Sequence, residues 1–72
     1  MHVLHVCHFV DLGPAFIGWA ADVEGAVTCI VTPRVHDDEA VRNQARELLH
    51  RAGADPEPCS SACPNALPPR EG

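Results

Sequence analysis

One segment of this chain, from about Asp37 to Ala52, carries the period of a surface helix, and whatever else folds has to be covered largely by it. Val41, Ala45, Leu48, Leu49 and Ala52 recur at spacings of three and four and so share one stripe. Asp37 is placed to cap the free amides at the start, while Asp38 and Glu39 complement the positive end of the helix dipole. Asp38 with Arg42 and Glu47 with Arg51 are i,i+4 pairs for the wet side, each contributing about 0.2 to 0.5 kcal/mol. Gly53 is the expected C-cap.

Two apolar runs precede the helix, hinged at Val23-Glu24-Gly25. From Ala15 to Asp22, Ala15, Ile17, Trp19 and Ala21 alternate with Phe16, Gly18 and Ala20. From Ala26 to Thr32, Val27, Cys29 and Val31 alternate with Thr28, Ile30 and Thr32. Pro33, which cannot donate to a ladder, ends the second run. Upstream, His2 to Val10 is β-branched and aromatic without Gly or Pro and reads as a further strand, closed by the turn Asp11-Leu12-Gly13-Pro14. Ala54 to Gly72 has five prolines and no apolar period. The expectation is an α+β domain at 1–53, a three-stranded antiparallel sheet followed by one helix (β-β-β-α), and a flexible, disordered Pro-rich tail at 54–72.

At 72 residues such a domain is marginal, since a chain this short buries only about 60% of its unfolded surface. Disulfides, a metal or a partner subunit are the usual supports. One helix shields one face of a sheet, so the other face, with Phe16 and Ile30 on it together with either Phe9 or its alternate-face neighbours, is expected to be an interface. Homodimerisation through that face or an edge strand follows. Arg42 and Arg46 lie one turn apart and form a small basic stripe, which is either a solvated face or a dock for a partner carboxylate.

The formal charge of -5, with acids outnumbering arginines two to one and no lysine, argues against a surface that tracks phosphates, so no direct nucleic-acid partner is expected. No run approaches the roughly 20 apolar residues of a membrane span, and the N-terminus lacks a basic n-region. A soluble cytoplasmic setting is the expectation, with the four cysteines as reduced thiols or metal ligands. The sequence has no Gly-rich phosphate loop and no serine elbow. Pairing Cys29 with a strand histidine as a nucleophile leaves the pair without an oxyanion hole or an orienting group. A non-enzymatic role is expected.

Metal chemistry is the alternative. His2, His5, Cys7 and His8 crowd the first strand, but alternation points His5 and Cys7 one way and His2 and His8 the other. At most two of them share an ion without help. Cys59-x-x-x-Cys63 supplies that help if the tail swings back, giving a zinc set of His5, Cys7, Cys59 and Cys63, although this spacing is less diagnostic than C-x-x-C. The plainer readings are exposed or satisfied histidines, Cys7 and Cys29 as small core hydrophobes, and a short Cys59 to Cys63 disulfide loop under oxidising conditions.

Ala21-Asp22-Val23-Glu24-Gly25-Ala26-Val27-Thr28 resembles the turn of HicB-type antitoxin domains, where a strand ends in a Pro-Asp-Leu-Pro-Gly-Cys-like sequence before a short third strand. Glu39-Ala40 followed by Asn43 is similar to that family's helix opening. The two patches fall within residues 21–43, about a third of the chain. The resemblance implies a degenerate RNase H-like β-β-β-α fold, homodimerisation, and binding to a small toxin RNase without catalysis, with Asp22 and Gly25 as turn formers. The leading functional expectation is therefore a small protein-binding module that self-associates and engages or inhibits another protein.

Overall fold

The structure, a computed structural model, describes residues 4–67, so His2 and residues 68–72 lie outside it. It is a small α+β fold in the order β1 (His5–Phe9), β2 (Gly18–Val23), β3 (Ala26–Val31), a short 3-10 helix (Pro33–His36) and α1 (Glu39–Arg51). The sheet is mixed rather than antiparallel: its strand order is β1-β3-β2, with β1 parallel and β2 antiparallel to β3. β3 takes the centre because its inward row, Val27, Cys29 and Val31, is the most completely buried of the three strands. Residues 10–17 therefore cross from one edge to the other, two strand spacings or about 9.6 Å. Arg34 holds that crossing, donating from Nη2 to the carbonyls of Pro14 (2.8 Å) and Phe16 (2.9 Å).

β2 and β3 are joined by Glu24-Gly25, both with positive φ (54° and 81°). That is the signature of a type I′ hairpin turn, whose twist matches that of the strands. The Asp22 carboxylate accepts from the Gly25 amide at 3.1 Å and steadies the turn. Gly18, by contrast, is a packing glycine. A Cβ there would lie 3.0 Å from Leu48 Cδ1 and 3.3 Å from the Ile30 carbonyl, so its absence lets α1 approach β2.

α1 is capped by Asp38, one residue later than expected: its Oδ1 accepts from the amides of Ala40 (3.0 Å) and Val41 (3.3 Å). Asp37 instead closes the 3-10 helix, donating its amide to the Arg34 carbonyl. With the Asp38 carboxylate on the cap, Arg42 is buried rather than on the wet side. The Glu47 to Arg51 pair does form, at 2.7 Å and exposed. At the far end Ala54 N donates to Leu49 O (3.0 Å) and Gly53 N to His50 O (3.1 Å), with Gly53 at φ 78°. These bonds make a Schellman motif.

The core lies on one face of the sheet, where Val27, Cys29 and Val31 meet Val35, Val41, Ala45 and Leu49. α1 packs on β2 and the 3-10 helix, leaving the β1 side of that face to the segment after the helix. The expectation of a loose tail gives way here. Ala54, Cys63 and Pro64 are buried, and residues 54–67 run as successive turns against the domain. Arg46 anchors them, donating from Nη2 to the carbonyls of Pro64 (2.8 Å) and Leu67 (3.0 Å). Leucine, valine and tryptophan side chains mark the opposite face: Leu4 is 79% exposed, Val6 54%, Trp19 48% and Val23 46%. No helix among the described residues is long and apolar enough to cross a membrane.

Because Gly25 sits in the left-handed region, Gly25→Ala is expected to destabilise the fold by about 1 to 2 kcal/mol in urea denaturation. Glu24→Asn, which places the residue type best suited to the first turn position, should raise the midpoint.

Candidate metal centre

Alternation along β1 sends His5, Cys7 and Phe9 to the core side, in register with Val27, Cys29 and Val31. His8 falls on the other face, beside Ile30 in β3, with Trp19 one strand further on, as the alternation requires. The tail then delivers its cysteines through tight local turns. Cys63 N donates to Ser60 O (3.1 Å), Ala66 N to Cys63 O (2.8 Å), and Ala62 N to the Ser60 hydroxyl (3.3 Å). Arg46 fixes the carbonyl of the residue following Cys63.

One ligand atom each from His5, Cys7, Cys59 and Cys63 lies within 4.8 Å of all the others. His5 Nε2 is 3.2 Å from Cys63 Sγ, and the Cys7 and Cys63 sulfurs are 3.9 Å apart. A tetrahedral zinc with bonds of about 2.3 Å to sulfur and 2.0 to 2.1 Å to nitrogen has ligand-to-ligand edges of about 3.5 to 3.8 Å. The two separations fall either side of that range, so small side-chain adjustments would seat an ion. Three thiols and an imidazole form a complete four-coordinate set, the composition of a structural zinc site without an open position. Such soft donors disfavour magnesium and calcium, which take oxygen.

The electrostatics suit a cation. Burial holds the His5 imidazole below its ordinary pKa, partly offset by Asp55, so at neutral pH the ring is uncharged and has a lone pair to offer. Burial pushes the Cys63 thiol up to about 11, although the backbone amides of Cys59 and Asn65 hydrogen-bond its sulfur and favour the thiolate. Cys7 is raised by its hydrogen bond with Cys29 and then by burial, and Cys29 is lowered by that same bond. A cation on Cys7 would reverse this polarity, since a coordinating thiol is deprotonated outright. Cys63 is fully buried, Cys7 half-buried and Cys59 exposed, so the set opens to solvent along one edge.

The other residues singled out by sequence lie elsewhere. Ile30 is on the uncovered face, while Phe16 is in the crossing loop ahead of β2, half-buried, with its carbonyl bound to Arg34. Arg42 and Arg46 do not form a solvated stripe. Arg42 is 4% exposed, and Arg46 is committed to the tail carbonyls. The tail-clamping role of Arg46 was missed, although the Pro-rich tail carried a signal for it: its carbonyls have no ladder of their own and need donors from outside. No protein-family model matches this chain, and no curated protein or solved structure is significantly similar to it.

Thiols must lose their protons to bind a metal, whereas the neutral His5 ring has none to give. Zinc added to the metal-free protein at pH 7 should therefore release about three protons per ion, measurable by calorimetry in buffers of different ionisation enthalpy. Apparent affinity should rise with pH while the thiols remain protonated in the free protein, because fewer protons then have to be displaced.

Proposed function

We propose that this chain is a small non-enzymatic module whose tail is stapled to its sheet by zinc, bound through His5, Cys7, Cys59 and Cys63. The observation that carries this reading is the convergence of four soft donors from residues 5–7 and 59–63 within 4.8 Å of one another. The ion's role is structural. It joins the first strand to a segment that has little apolar surface of its own, in a chain whose core alone is marginal. Structural zinc contributes about 10 to 16 kcal/mol of apparent binding free energy in small zinc-finger peptides, more than a core of this size supplies.

A second reading concerns the uncovered sheet face and is compatible with the first. Val6, Trp19, Val23 and Ile30 share that face with no second layer over them among the described residues, which supports a role in self-association and in engaging or inhibiting another protein. The resemblance to HicB-type antitoxin domains makes a small toxin RNase one partner to test. Sedimentation of the wild-type chain should show a dimer that Val6→Glu dissociates. A wild-type monomer at high concentration contradicts self-association.

Protein purified without added metal should contain about one zinc per chain, and Cys63→Ala should lose it. Chelation should accelerate amide exchange across residues 54–67 at least tenfold while β2 and β3 change less. A metal-free wild type whose tail amides exchange as slowly as those of the sheet would overturn the zinc reading.

A further inference from the structure

The sulfur that the proposed ligand set leaves out is Cys29. It lies directly opposite Cys7 in the parallel β1 and β3 pair, on the same inward face, and is fully buried. Its register neighbour on the other side is Ala20, and along β3 the inward residues are Val27 and Val31, all without side-chain hydrogen-bonding groups. Register therefore makes the Cys7 and Cys29 side chains neighbours across the ladder on the inward face. Cys29 stands outside the group of four atoms that are mutually close enough for one ion. The fifth donor is thus placed beside one candidate ligand, Cys7, and outside the set of four.

Resting on the zinc reading of Cys7, we infer that Cys29 is a positioning residue for the metal: its S–H donates to the Cys7 thiolate, orienting that ligand and drawing off part of its charge. Three thiolates and one neutral imidazole around a dication leave one net negative charge in a half-buried site. A thiolate accepts a hydrogen bond readily, and among the register and strand neighbours of Cys29 only Cys7 offers a side-chain acceptor. The alternative is that Cys29 merely fills space as a small core hydrophobe. The two roles separate under substitution, since Cys29→Ala and Cys29→Val remove the donor while bracketing the volume, and Cys29→Ser keeps a donor.

The test measures zinc affinity by competition with a chromophoric chelator, together with the thiolate-to-metal charge-transfer band of the cobalt(II)-loaded protein. Cys29→Ala and Cys29→Val are expected to weaken zinc binding by about 10- to 100-fold and to move the charge-transfer band to lower energy, as the Cys7 thiolate becomes more electron-rich. Cys29→Ser should restore both. Wild-type affinity and band position in the Ala and Val variants would overturn the inference, as would a Ser variant no better than Ala. A wild-type spectrum of four thiolates would also overturn it, by making Cys29 a ligand. A wild type that binds neither zinc nor cobalt would remove the zinc reading itself, and this inference with it.

Discussion

The inner face of this sheet is wider than the helix laid on it. α1 has 13 residues, about 20 Å of helix, and packs on β2 and the 3-10 helix, which leaves the β1 side of the face to something else. Residues 54–67 fill that side with Ala54, Cys63 and Pro64. They do so with little hydrophobic surface, so their position depends on specific polar attachments. One is the Arg46 guanidinium on two tail carbonyls, and the other is the meeting of Cys59 and Cys63 with His5 and Cys7. The Schellman turn at Gly53 aims the chain back along α1, so that both attachments fall within reach.

The local elements were legible because each rests on short-range physics. Helical period, an acidic start and Gly53 placed α1 to within a residue or two at each end, and alternation sided the rows of β3 while sorting β1 into two rows without saying which of them faces the core. The cap moved from Asp37 to Asp38 because both carboxylates satisfy the same rule, and the 3-10 helix after Pro33 uses up Asp37. Strand order was not legible. Pairing neighbours in sequence gives an antiparallel sheet, whereas β1 here joins the free edge of β3, and the crossing loop is held by Arg34, a residue with no local signal for that role.

The candidate site was legible in membership and not in geometry. Alternation alone separates His5 and Cys7 from His8, and the C-x-x-x-C pair in the tail was an available complement. What the sequence could not supply was the return of the tail, since nothing in residues 54–72 has a period that a packing argument can use. Arg42 and Arg46 were misplaced for the same reason. An arginine on a helix reads as solvated until the segment that covers it is known. Extending the alternating run back to Ala15 puts Phe16 in a strand, whereas β2 starts at Gly18.

Both faces of the sheet bear on how so short a chain remains folded. The inner face is closed by a helix and a tethered tail, while the outer face keeps Leu4, Val6, Trp19 and Val23 in contact with solvent. If zinc supplies the tether, the domain does not need a partner merely to fold, and its outer face is free to serve recognition. The most direct measurement is X-ray absorption at the zinc edge on protein purified without added metal. The expected shell is three sulfurs at about 2.3 Å and one nitrogen at about 2.0 Å. A protein without zinc, or a shell of nitrogen and oxygen alone, would contradict the proposed tether.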